Sequence, residues 1–356
     1  MRQTQVLTSL LGIDLPIVQA PMAGVQDSAL AIAVSNAGGL GSLPCALLTL
    51  DAMRRELAAV KAHTSRPYNV NFFCHAVPPP APQREREWRA ALAPYYRELG
   101  LDEQAIPPGP GREPFTAEVA HALSEFRPPV VSFHFGLPSP ELVAIVQSWR
   151  PKILGSATTV DEARWLEERG VDAIIAQGFE AGGHRGMFLS DDVSTQIGTL
   201  ALLPQVVNAV RVPVIAAGGI ADARAVAAAI ALGAAGVQVG TAYLLCPEAT
   251  TSAVHRAALK SESARHTAVT NVFTGRPARG IVNRLIREQG PLSPVAPPFP
   301  LATAAVSPLR SAAERRGSGD FSPLWSGQNA TGCREIPAAD LTRELAAQLD
   351  GIGAAG

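Results

Sequence analysis

The segment Gln177-Gly178-Phe179-Glu180-Ala181-Gly182-Gly183-His184-Arg185-Gly186 concentrates residue types that can do chemistry. His184 stands in a glycine-rich stretch with neither a helical nor a strand period, so it reads as a loop residue. Free imidazole titrates near pH 6.5, so a histidine so placed can take a proton or hold a hydrogen bond to an anion at neutral pH. Two glycine turns lie further along, Ala216-Ala217-Gly218-Gly219-Ile220 and Gln238-Val239-Gly240-Thr241. Glycine lets the backbone approach an anion closely, so that several N–H groups converge on one phosphate, and Thr241 adds a hydroxyl donor. The plainer reading of each turn is a tight chain reversal. His134, between Phe133 and Phe135, reads either as a satisfied core histidine or as a substrate contact. The amides of Asn71 and Gln177 both donate and accept, which suits the polar edge of a heterocycle. No His-x-x-x-His, His-Glu-x-x-His or close cysteine pair occurs, so no metal centre is expected, and no Gly-x-Ser-x-Gly elbow is present.

Such residues act together only if their segments end on one face. One pattern recurs: a short apolar run, a cap, a helix-period segment and a glycine stop. The runs are Ile17–Met22, Gly39–Pro44, Tyr68–Cys74, Val130–Gly136, Lys152–Ala157, Ala173–Gly178, Val212–Gly219 and Gly236–Leu244. Asp27 or Ser28, the Thr159/Glu162 capping box and Asp222 open helices, and Gly38, Gly170 and Gly233 close them. Continuous apolar runs imply burial on both faces, hence a parallel sheet. Eight units of this kind fit an α/β fold of the TIM-type (β/α)8 barrel class, with chemistry at the carboxyl ends of the strands and phosphate after the seventh and eighth. An open doubly wound sheet would want Gly-x-Gly-x-x-Gly after its first strand, where Ala20-Pro21-Met22-Ala23-Gly24 stands instead. The barrel is expected over residues 1–250. An insertion at about 78–128 carries the charged segment Gln83–Leu99 between Pro78–Pro82 and Pro107–Pro114. A helical and proline-rich extension, 251–356, would cover the active face.

The 356 residues carry 30 Lys and Arg against 31 Asp and Glu, and 47% are hydrophobic. That composition excludes disorder, and a near-zero net charge without a basic block argues against nucleic acid. Cys45, Cys74, Cys246 and Cys333 lie far apart and read as reduced thiols of a cytoplasmic protein. Asp14 and Pro16 interrupt any leader-like apolar run. The charge-free stretch Ala225–Pro247 is long enough to span a bilayer, but its glycines, Gln238 and Thr241 make it a helix, a stop and a strand.

These strand ends resemble class I nitronate monooxygenases, the family once called 2-nitropropane dioxygenases. The resemblance rests on Gln19-Ala20-Pro21-Met22, Asn69–His75, Val131–Gly136 and the long Ala176–Gly186 motif. It extends to Gly275–Gly280 and Trp325–Gln328 in the tail, so it covers nearly the whole chain. It implies FMN in the barrel, an alkyl nitronate and O2 as substrates, and a carbonyl compound and nitrite as products. Under it, Ala20, Pro21 and Met22 back the flavin ring, and Asn71 and Gln177 meet its polar atoms or ribityl chain. Gly182, Gly183, Gly218, Gly219 and Gln238, Val239, Gly240 and Thr241 bind the phosphate end, and His184 faces the substrate. One departure concerns substrate choice. Members acting on a carboxylated nitronate such as propionate 3-nitronate are expected to carry tyrosines and a lysine after the proline-rich loop. Phe299–Pro308 has neither, leaving Arg276 or Arg279 as substitutes. Two other functions fit the same scaffold: an FMN-dependent NAD(P)H reductase of quinones or enoyl thioesters, and a flavin- or phosphate-binding protein without catalysis.

Overall fold

Each of the eight apolar runs contributes a strand in the computed structural model, which describes residues 3–106 and 112–349. The barrel strands are Ile17–Gln19, Gly41–Pro44, Tyr68–Phe73, Val130–His134, Lys152–Ala157, Ala173–Gln177, Val214–Ala217 and Gly236–Val239. All pair in parallel, the second to the eighth each with its chain neighbour, and the first with the eighth through Ile17↔Val237 and Val18↔Gln238. The ring closes where Gln19 N donates to Leu40 O and Leu40 N donates to Ile17 O. The apolar runs are buried on both faces, as their composition requires. Val18, Leu40, Leu154, Ile175 and Ile215 form one buried cluster, while Ile17, Val70, Ile174 and Val237 pack with helix residues such as Leu30 and Val34 in another. Gly41 shows how closely the layers approach: a Cβ there would stand 1.9 Å from Ala31 O in helix Ser28–Asn36.

Two local expectations change. The eighth run leaves the strand at Val239 and turns into a 3-10 segment, Thr241–Leu245, with Gly240 at the break. The charge-free stretch is thereby divided, and no helix among the described residues is long and apolar enough to cross a membrane. At Thr159 only half the capping box forms. Thr159 accepts from Glu162 N, but the Glu162 carboxylate turns to Thr158 N and Oγ1 and to Phe188 N and Leu189 N.

The insertion is anchored to the tail. Helix Pro82–Leu99 packs along helix Ala302–Arg315, with Trp88 Nε1 donating to Ala302 O and the Tyr96 hydroxyl to Ala305 O. Trp88, Leu92, Tyr95 and Tyr96 share a second core with Phe273, Leu309 and Phe321. Of the run Pro107–Pro114, residues 107–111 lie outside the described residues. An antiparallel side sheet joins Thr267–Thr270, Ala278–Ile281 and Gly183–His184, so His184 lies on a short strand and not in a free loop. The extension ends in helix Ala338–Ala346.

Candidate active site

A cleft of about 1340 Å³, counting the solvent at its mouth, opens at the carboxyl ends of the barrel strands. It gathers residues scattered along the chain: Ala20, Pro21 and Met22, then Asn71, His134 and Gln177, then Gly182, Gly183 and His184, then Gly218 and Gly219, then Gln238, Gly240 and Thr241. Val239 is the exception among the expected site residues. Strand alternation puts Gln238 and Val239 on opposite faces. Val239 packs with the helix layer, 1% exposed. Arg112, Ser132, Ser156, His255, Trp325, Gly327 and Asn329 also line the cleft. Of these, Ser132 lies in the Val131–Gly136 motif and Trp325 and Gly327 in the Trp325–Gln328 motif; the others carried no signal of chemistry in the sequence. No group of three or more His, Cys, Asp or Glu side chains among the described residues could hold a metal ion.

The backbone of His184 is fixed from two sides. Gly183 and His184 pair with Arg279 and Ala278 across the side sheet. The His184 carbonyl accepts from His134 Nε2 at 3.2 Å and Gln177 Nε2 at 3.0 Å, while Gln177 Oε1 accepts from Gly186 N at 2.7 Å. The carbonyl partner assigns the proton of His134 to Nε2. Burial, more than any charge, pushes the His134 pKa down to about 4, so the ring is a neutral donor. Thus His134 and Gln177 hold the segment that carries His184. The amide of Gln177 spends its oxygen and one proton on the chain. Asn71 Nδ2 is similarly tied to Ser132 Oγ at 2.9 Å. Behind the segment, the fully buried Arg185 guanidinium donates to Gly178 O and Gln177 O, both at 2.8 Å, and to Gln196 Oε1 at 2.9 Å.

The His184 ring sits among Phe73, Phe135, Phe299 and Trp325, with centroids 6.0, 5.9, 5.4 and 5.6 Å away. Desolvation holds its pKa well below the ordinary 6.5, and the positive charge of Arg112 adds to this. His184 is therefore neutral at neutral pH and does not titrate there as a free imidazole does. Its Nε2 lies 2.9 Å from Thr274 Oγ1, whose own hydroxyl donates to Arg276 O at 3.4 Å. With that proton committed, Nε2 is the donor to Thr274 and Nδ1 keeps the lone pair.

The opposite wall is built from backbone. Gly218 and Gly219 adopt φ of 118° and 73°, the left-handed region where a side chain is strained. At Gly182 a Cβ would meet Gly327 N at 2.5 Å, so this turn and the tail touch backbone to backbone. Thr241 Oγ1 accepts from Gly327 N, and Asn329 Nδ2 donates to Gly219 O. Gln238 Oε1 is buried without a hydrogen-bond partner. An unmet buried acceptor costs about 1–3 kcal/mol, which marks this wall as shaped for a donor brought by something else.

The buried histidines set a pH response. His134 and His255 both sit near pKa 4, chiefly through desolvation. Below their unfolded value of about 6.5 the unfolded chain binds protons that the folded one refuses, so stability falls as pH falls. At pH 5.5 each costs roughly 1 kcal/mol relative to pH 7.5. Urea midpoints at the two pH values should show the fall above the range where carboxylates titrate, and equal midpoints would refute it.

The profile of the nitronate monooxygenase family matches residues 4–348. The nitronate monooxygenase of Pseudomonas aeruginosa is 43% identical over 354 residues, covering 98% of this chain and 100% of its own. That of Paraburkholderia phytofirmans is 42% identical, covering 96% and 94%. Among solved structures, the nitroalkane oxidase of Streptomyces ansochromogenes superposes with a TM-score of 0.88 at 41% identity, over 98% of each chain. FabK of Thermotoga maritima does so with a TM-score of 0.70 at 27% identity, over 97% of this chain and 96% of its own.

Proposed function

The chain belongs to the nitronate monooxygenase family, and from that premise we propose that it binds FMN in the cleft and oxidises alkyl nitronates with O2, releasing a carbonyl compound and nitrite. The observation that carries the cofactor assignment is the glycine-built wall with the unpaired Gln238 Oε1 beside it. Backbone N–H groups of Gly218, Gly219 and Gly240 and the Thr241 hydroxyl would hold the phosphate. A dianion is well served there by oriented amide dipoles without a lysine. Gln238 would accept a hydrogen bond from the cofactor, and Ala20, Pro21 and Met22 would back its ring. Bound there, FMN supplies the electron acceptor for the nitronate and the route of those electrons to O2.

The chain's own residues do the rest. Phe73, Phe135, Phe299 and Trp325 surround His184 and exclude water from its neighbourhood. When the substrate arrives as a neutral nitroalkane, the lone pair on His184 Nδ1 takes the proton from the carbon bearing the nitro group. The C–H electron pair moves into the nitro group, leaving a nitronate beside an imidazolium. When it arrives already ionised, His184 remains neutral and orients it.

Purified protein should be yellow and release FMN, identified by chromatography, on denaturation. Under air it should form nitrite from propyl-2-nitronate. FMN-replete protein that yields no nitrite from any nitronate would remove the reaction and leave the barrel untouched. Rapid anaerobic bleaching by NADH, with none by a nitronate, would favour a reductase in its place.

A further inference from the structure

We propose that Arg112 is the side chain that recognises the negative charge of the substrate, an inference that rests on the nitronate-oxidising function proposed above. Arg112 lines the cleft, and no Asp, Glu or Lys joins it there. Among the described residues its guanidinium has no hydrogen bond and no ion pair. The other arginines nearby each make side-chain hydrogen bonds, although the buried Arg276 Nε has no partner. Arg276 donates to Met187 O and stacks over the Phe135 ring at 4.1 Å. Arg279 donates to Phe179 O and to Thr267 Oγ1. Neither lines the cleft, so neither fills the role left open by the missing tyrosines and lysine after the proline-rich loop.

Position argues for substrate rather than cofactor phosphate. Arg112 stands at the third barrel strand, where Phe115 N donates to Phe73 O. Strands three and seven are four places apart in an eight-stranded ring, so the glycine wall at strands seven and eight lies across the cleft. On its own side the guanidinium lies 5.5 Å from the Phe299 ring centre, and that ring is 5.4 Å from the His184 ring. The Arg112 carbonyl meets His75 Nε2 at 2.8 Å, which fixes the backbone. Desolvation lowers the Arg112 pKa to about 10, so it stays charged at neutral pH. A cation kept half-buried without a counter-charge is costly, and an oxygen anion entering the cleft relieves that cost. The anion is either the nitronate head itself or a carboxylate elsewhere on the same substrate.

The test compares wild type, Arg112→Met and Arg112→Lys. Equilibrium binding of nitrate and of propionate, read by tryptophan fluorescence, is measured beside steady-state kinetics on propyl-2-nitronate and propionate 3-nitronate. Arg112→Met should weaken anion binding and raise KM by about 10- to 100-fold, with the loss falling on KM more than on kcat, and Arg112→Lys should recover part of it. A rise for both nitronates assigns the guanidinium to the nitronate head. A rise for propionate 3-nitronate alone assigns it to the carboxylate. Unchanged anion binding in Arg112→Met, at an unchanged urea midpoint, overturns the proposal whatever the activity. Wild type that forms no nitrite yet binds anions through Arg112 refutes the oxidation and keeps the recognition site.

Discussion

Replacing His184 with Asn should lower turnover of a neutral nitroalkane by about 10²–10⁴-fold, the usual contribution of a positioned general base. Turnover of a preformed nitronate should fall less, because that substrate has no proton to give up. The protein should keep the FMN proposed for it, since Gly218, Gly219, Gln238 and Thr241 stand at the ends of the seventh and eighth barrel strands and not on the segment that carries His184. The asymmetry between the two substrates is the informative part. It follows from a neutral imidazole whose Nε2 is bound to Thr274 Oγ1, which leaves Nδ1 for the proposed role of base. Desolvation keeps that ring uncharged well below pH 6.5. The activity of wild type should therefore show no inflection near pH 6.5 that His184→Asn abolishes. Equal losses on both substrates would assign His184 to orientation alone, and unchanged kinetics would remove it from the reaction.

The barrel was legible because its strands are local events. Lys152–Ala157 has the same bounds in sequence and structure: Pro151 precedes it, and Thr158 and Thr159 follow, so composition alone marks both ends. The convergence of Gln177, Gly218 and Gln238 was equally legible, since parallel strands of one sheet carry their ends to one face. What escaped was set by distant partners. His184 looked like a loop residue because its strand partners, Ala278 and Arg279, come from far along the chain. Its protonation followed from burial among four aromatic rings, which no spacing records. Glu162 was found by its capping pattern, yet its carboxylate serves Phe188 and Leu189 as well as Thr158. Arg112 follows a proline run with no period, so nothing local distinguishes it from a solvated charge. Val239 was included by adjacency to Gln238, against the two-residue period that sends it to the other face.

Arg185 carries the second large effect, on stability. It is fully buried, and its guanidinium makes charge-assisted bonds to Gln177 O, Gly178 O and Gln196 Oε1 without a carboxylate in direct contact. Desolvation lowers its pKa to about 9, offset in part by the more distant charges of Glu180 and Glu162. The side chain is a strut between the end of the sixth barrel strand and the segment holding His184. Gly178 O retains a second donor, Ala181 N, but the Gln196 amide loses its partner for Oε1. Arg185→Met, of similar volume, should lower the unfolding free energy by about 2–5 kcal/mol, at about 1–3 kcal/mol for each buried acceptor left without a donor. Arg185→Lys should recover only a fraction, because a point charge cannot span three acceptors arranged for a planar fork. Urea unfolding of the purified proteins measures both. A methionine variant as stable as wild type would mean that packing, and not the hydrogen bonds, holds this junction. A further consequence separates the strut from a general loss of stability. At urea-free conditions where Arg185→Met remains folded, its kcat should still be reduced, because small displacements of a catalytic group can cost about 10²-fold.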